Sequence, residues 1–232
     1  MTRLILASKN EHKISEIADM LGKSRHAKLR AVEVLGIGQA GEALGEAPPE
    51  VEETEDSFVG NAVLKADGFA RWLRDKGVSP YDIVLADDSG LCVDAFDGAP
   101  GVYSARFAGP EATDADNNAK LVAELQARGL EGSPAGYVCM LAMRSVGTRP
   151  FDFTIPESTT LFIRGNCLCI EGTCRGEVRI ARRGEGGFGY DPHFWIEDGA
   201  RTFADLDPDQ KARRSHRGVA VRRLLSELPL LL

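Results

Sequence analysis

Two adjacent carboxylates, Asp87 and Asp88, follow an apolar run, Ile83-Val84-Leu85-Ala86, and precede Ser89 and Gly90. The run reads as a short buried strand. In open α/β sheets ligands bind in the crevice beyond the carboxyl ends of the strands. Two acids there can hold a hard cation, with one left to take a proton from water. The same residues also suit an acidic turn with Asp88-Ser89-Gly90 at its tip. A second acidic run, Glu50-Val51-Glu52-Glu53-Thr54-Glu55-Asp56, is either a solvated, self-repelling loop or a segment that closes over a cation.

Phosphate and base chemistry is available elsewhere in the chain. Ser8-Lys9-Asn10-Glu11-His12-Lys13 offers two lysines, an asparagine and backbone N–H groups between a strand and a helix, which suits a phosphate. It is not a Walker loop, since GxxxxGK[ST] is absent, and Lys9 and Lys13 also read as solvated surface lysines. Asn61 and Lys65, four residues apart on a helix, share a face and can point into a site together. Residues 182–192 form a glycine-rich loop carrying Phe188, Gly189, Tyr190 and Asp191. Glycine lets backbone approach a ligand, and Phe188 or Tyr190 offers a flat face for a base. A turn with its aromatic tucked into the core is the plainer reading of the same loop. Lys211 and the pair His216-Arg217 add donors for base carbonyls and phosphates.

The elements that must position these groups follow from periodicity. Arg3–Ala7 is expected as a first strand. Ile14, Ile17, Ala18 and Leu21 then mark an amphipathic helix. Residues 36–57 show no clear period and read as a loop. Phe58, Ala62, Ala66, Phe69, Ala70 and Leu73 predict a long helix, ended by Gly77-Val78-Ser79-Pro80. Thr113-Asp114-Ala115-Asp116 opens another helix close to a capping box. Tyr137–Met143 reads as a buried strand, and Thr159–Ile180 as two or three antiparallel strands with turns near 165, 172 and 176. Asp207-Pro208-Asp209-Gln210 starts a helix, with Pro at its first position and Gln at its third. Ser215-His216-Arg217 opens the last helix.

At 232 residues, 43% hydrophobic and 27% charged, the chain suits one large domain or two closely joined lobes with a substantial core. The formal net charge of −7 lacks the basic footprint of a general nucleic-acid binder but leaves room for a small anionic ligand. No apolar stretch approaches the ~20 residues of a membrane span, and the N-terminus is too short an apolar run for a signal peptide. Five cysteines at irregular spacing suit reduced thiols in a cytoplasm. Cys167, Cys169 and Cys174 are read as structural rather than as metal ligands.

Taken together, the blocks are more specific than any one of them. Leu6-Ala7-Ser8-Lys9-Asn10 with Lys13 and Glu16, Ala62–Ala66 around Lys65, and Asp87-Asp88-Ser89-Gly90-Leu91 through Phe107-Ala108-Gly109 form one series. Gly187-Phe188-Gly189-Tyr190-Asp191-Pro192, Thr202–Leu206, Lys211 and Ser215-His216-Arg217 continue it. In this order, over nearly the whole chain, they resemble the inosine triphosphate pyrophosphatase family, hydrolases of non-canonical purine nucleoside triphosphates.

The resemblance implies an α/β fold: an elongated mixed β-sheet flanked by helices, one domain over 1–232 with two lobes, a cleft between them and no separable linker. It implies Mg²⁺-dependent hydrolysis of ITP, dITP and XTP to the monophosphate and pyrophosphate by a cytoplasmic homodimer, without nucleic-acid or membrane partners. Carried over by position, Ser8, Lys9, Asn10, Glu11, His12, Lys13 and Lys65 would hold phosphates. Glu53, with Glu52, and Asp88 would bind the metal. Asp88 would also accept the proton, and Ser89 would touch substrate. Phe188, Gly189, Tyr190, Asp191, Lys211, His216 and Arg217 would form the base pocket. The family's Thr-Gly-Asn is Ser8-Lys9-Asn10 here, and the acid usual before Asn61 is Gly60. The stretch 149–174 is longer than the family pattern and is expected to decorate the second lobe. Alternatives from the same residues are a Maf-type pyrophosphatase of modified pyrimidine nucleotides and a non-catalytic nucleotide sensor.

Overall fold

The computed structural model describes residues 2–148, 160–196 and 199–227. The strands are β1 (Arg3–Leu6), β2 (Glu33–Gly36), β3 (Ile83–Val93), β4 (Gly132–Ser145), β5 (Leu161–Arg164), β6 (Cys167–Arg179) and β7 (Phe194–Trp195). The helices are α1 (Glu11–Gly22), α2 (Ala27–Arg30), α3 (Ile37–Leu44), α4 (Phe58–Asp75), α5 (Asp114–Ala127), α6 (Pro208–Arg214) and α7 (His216–Glu227). The seven strands make one mixed sheet in the order β2-β1-β3-β4-β6-β5, with β7 paired to β6. Strands β1–β2 and β1–β3 are parallel, whereas β5–β6 and β6–β7 are antiparallel. The expected mixed α/β class is therefore the observed one.

The chain divides into two compact units, one of residues 1–88, 140–172 and 220–232, the other of residues 89–139 and 173–219. In the first, the small face of α4 (Ala62, Ala66, Ala70 and Leu73) packs with Ile5, Val84, Ala86, Met140 and Ala142. Alanines on that face let the helix backbone lie close to its neighbours, a fit that a larger side chain would disrupt by about 1–3 kcal/mol. Ser57 caps α4 by accepting from the Gly60 amide at 3.2 Å. In the second unit, Leu121 and Leu125 of α5 join Leu91, Val93, Tyr137, Phe194 and Phe203 in a separate core.

Three sequence expectations are corrected. The apolar run does not stop at Ala86: β3 continues through Asp87, Asp88, Ser89 and Gly90 to Val93, so the acids lie within a strand rather than on a turn. Leu91 and Val93, both fully buried, carry the strand past its polar interruption. Residues 36–57 are not all loop, since α3 occupies Ile37–Leu44 with Ile37 and Ala40 buried. Finally, Gly172 and Gly176 do not turn the chain; both lie inside β6. A β-carbon on Gly176 would sit 2.4 Å from the Trp195 carbonyl oxygen, so this glycine admits the close approach of β7. Of the expected decoration at 149–174, residues 149–159 lie outside the described residues, and the remainder is the β5–β6 hairpin with the following part of β6.

Candidate active site

The first unit gathers lysines and acids. Lys65 on α4 donates from Nζ to Glu53 Oε1 at 2.7 Å, to the Asp87 carbonyl at 2.9 Å and to Asp88 Oδ1 at 3.1 Å. Glu53 is held in reach by Asn61, which lies one turn before Lys65. The Asn61 amide accepts from the Glu55 N–H at 3.0 Å and donates to its carbonyl at 3.1 Å, pinning the acidic segment. Asn61 therefore serves the backbone, and the expectation that it points into the site beside Lys65 is corrected. Glu52 is exposed and lies outside the hydrogen bonds that join Glu53 to Lys65. Gly60 leaves space that Glu55 fills: a β-carbon there would lie 2.6 Å from Glu55 Oε2.

The turn before α1 is organised by its cap. Asn10 Oδ1 accepts from the amides of His12 and Lys13 at 3.0 and 3.2 Å, and Ser8 Oγ accepts from the Asn10 amide at 3.1 Å. Lys9, Asn10, Glu11 and His12 are exposed. Lys13 is turned to the acids, with Nζ 2.6 Å from Asp87 Oδ1. The sequence offers Asp87 as one of two acids able to hold a cation, whereas the resemblance gives it no role of its own. Its adjacency to Asp88 was the available signal, but only the fold supplies its partner.

Asp88 is 7% exposed. Burial raises its pKa above the usual carboxylate value, Lys65 pulls it down, and Glu53 adds to the rise. For Lys65, burial is the largest single influence and lowers the pKa, but Asp88, Glu53 and Asp87 together outweigh it and raise the pKa above its usual value. Asp88 Oδ2 is buried without a hydrogen-bond partner. An orphaned carboxylate oxygen beside Glu53 fits a hard cation. Among the described residues no three His, Cys, Asp or Glu side chains form a ready-made metal cage. One or two carboxylates, with water and substrate phosphates completing the shell, are what Mg²⁺ ordinarily takes.

The second unit holds the aromatic loop and its cations. Asp191 Oδ2 accepts from the Phe188 amide at 2.9 Å and from Lys211 Nζ at 2.5 Å. Gly187 has a φ of +77°, and a β-carbon there would lie 2.0 Å from Asp191 Oδ2, so only glycine allows this loop to close. Lys211 Nζ sits 4.1 Å from the centre of the Phe188 ring, and the Arg217 guanidinium carbon 5.8 Å from it. Arg217 is 2% exposed and donates from Nη2 to Ser89 Oγ at 3.1 Å. His216 stacks on Tyr137 with ring centres 4.6 Å apart and planes 9° from parallel.

Of the two aromatics offered as a flat face, Tyr190 lies in the core. Its ring is 4% exposed within the core, and its hydroxyl donates to the Ser104 carbonyl at 2.8 Å. The aromatic face of this loop left for a ligand is that of half-buried Phe188.

A profile of the Ham1 family matches residues 4–227. The chain belongs to the Ham1 family. It is 39% identical over 224 residues to the dITP/XTP pyrophosphatase of Geobacillus kaustophilus, covering 97% of this chain and 93% of that protein. The corresponding protein of an Exiguobacterium species is 40% identical over 228 residues, covering 97% and 96%. Among solved structures, a HAM1 protein from Coxiella burnetii superimposes with a TM-score of 0.76 at 32% identity, covering 99% of this chain and 100% of that one. The resemblance read from the motif series is thus the family the whole chain belongs to.

Proposed function

We propose that this Ham1-family chain is a Mg²⁺-dependent nucleoside triphosphate pyrophosphatase. Its substrates are the non-canonical purine nucleotides ITP, dITP and XTP, cleaved to the monophosphate and pyrophosphate. Near-full-length similarity to proteins named dITP/XTP pyrophosphatase supports the reaction class. The observation that carries the reading is Asp88: a buried carboxylate with one oxygen on Lys65 and the other without a partner, beside Glu53.

Glu53 and Asp88 would hold the metal, which when bound would neutralise phosphate charge and lower the pKa of water. Lys13 and Lys65 supply fixed positive charge for phosphate oxygens, and the capped start of α1 from Ser8 to His12 adds backbone N–H groups. Asp88 takes the proton of the attacking water. Ser89, held by Arg217, contacts the substrate. Phe188 stacks on the base, while Gly189, Asp191 and Lys211 shape its surroundings. His216 and Arg217 donate to the 6-oxo group, and a 6-amino group would leave those donors unpaired. Fixed positioning and charge suffice, without a covalent nucleophile. We further assign the enzyme to the cytoplasm as a homodimer, tested by sedimentation. The described helices include none long and apolar enough to cross a membrane.

Phosphorus NMR of ITP turnover with Mg²⁺ tests the bond cleaved. The expected products are IMP and pyrophosphate; IDP with orthophosphate would reject the assignment.

A further inference from the structure

The aromatic loop is gripped by two side chains that neither capping nor packing explains. Gly189 lies between Phe188 and Tyr190. Its N–H donates to Asp114 Oδ2 at 2.6 Å, and its carbonyl accepts from Asn118 Nδ2 at 2.8 Å. Asp114 and Asn118 are four residues apart on one face of α5. The capping box of this helix is already complete in Thr113 and Asp116, so the Asp114 carboxylate is not needed there. Asn118 is a poor helix former in mid-helix, and its Oδ1 is buried without a hydrogen-bond partner. That cost is tolerated while the amide is turned toward Gly189.

A cavity of about 590 Å³ opens between this face of α5 and the loop, lined by Asp114, Asn118, Phe188, Gly189 and Pro192 among others. Polar bonds rather than close packing therefore tie the loop to α5. On the other side, Asp191 takes the Phe188 amide. The peptide units on both sides of Phe188 are thus fixed by side chains outside the loop tip.

We propose that Asp114 and Asn118 are positioning residues for base recognition, which set the Phe188 ring by clamping both polar atoms of the Gly189 backbone. The inference rests on the reading of Phe188 as the stacking face for the base. It assigns these two residues to substrate discrimination and not to the chemical step. Loosening the clamp weakens the contact with the base in ground and transition states alike, which raises KM and leaves kcat in place.

The test is steady-state turnover of ITP by Asp114→Ala, Asn118→Ala and Asp114→Asn, alongside inhibition by inorganic triphosphate, which carries no base. Both alanine variants should raise KM for ITP by about tenfold with kcat within about twofold. Inhibition by triphosphate should stay at the wild-type value. Asp114→Asn keeps an acceptor for the Gly189 N–H and should return KM to within about twofold of wild type. Unchanged KM in both alanine variants overturns the inference. So does a parallel loss of triphosphate affinity, which marks general loosening. Wild-type protein that releases no pyrophosphate from ITP instead overturns the functional reading beneath it, so the two failures are told apart.

Discussion

At Asp88, burial and charge act in opposite directions, and the balance defines what the residue can do. Its position in mid-strand costs solvation, which raises the pKa; Lys65 offsets this, and Glu53 works against it. Replacing the carboxylate by an amide removes both the metal ligand and the proton acceptor while relieving burial of charge. Asp88→Asn should lower kcat for ITP by about 10²–10⁴-fold with the far-ultraviolet dichroism of the wild type. Turnover within a few-fold of wild type would take Asp88 out of the mechanism. At this scale the residue types and spacing single out Asp88, Lys65 and Lys13, and the fold brings Lys65 to Asp88 and Lys13 to Asp87. The partner of Asp87 and the buried place of Tyr190 were not legible. An acid next to another acid and an aromatic in a glycine-rich loop have the same local signature whether they face a ligand or the core.

Among the elements, the acidic segment and α4 depend on one buried amide. Asn61 supplies the partners of both backbone polar atoms of Glu55, so Asn61→Ala leaves an N–H and a carbonyl to find others. The variant should lose about 1–3 kcal/mol of stability in urea unfolding and also lose kcat, because Glu53 is released from Lys65. A stability loss without any change in kcat would separate Glu53 from the reaction.

Strand β6 carries a pH dependence of its own. Burial is the main cause that pushes the Cys167 thiol up to about 12 and the Cys169 thiol to about 11, from an ordinary 9.0. Above pH 9 the unfolded chain therefore releases protons that the folded chain keeps. The stability these thiols contribute is complete below pH 9 and is lost as pH rises toward 11–12. Cys167→Ala/Cys169→Ala should flatten the alkaline fall of the melting temperature. An identical fall in the double variant would assign it to other groups. Helices α5 and α6 were legible from their caps at Thr113 and Asp207, and α4 from its apolar stripe, because these are local signals. The short α3 and the continuation of β3 were not, since neighbouring elements stabilise both against weak or contrary local sequence.

For the whole molecule, the formal charge is −7, and the lysines of the candidate site are paired with acids. Lys13 and Lys65 are committed to acids in the first unit, Lys211 to Asp191 in the second. The family was readable from the order of short motifs, no one of which sufficed. Which residues pin those motifs, such as Asn61, Asp114 and Asn118, depended on contacts that no spacing rule encodes. The activity proposed for the molecule is metal-dependent pyrophosphate release selective for 6-oxo, non-canonical purines. Its most direct test measures that release from ITP, XTP, GTP and ATP with Mg²⁺, and again with EDTA. Rapid release is expected from ITP and XTP, little from GTP or ATP, and none with EDTA. Equal rates on all four nucleotides, or release that survives EDTA, would contradict it.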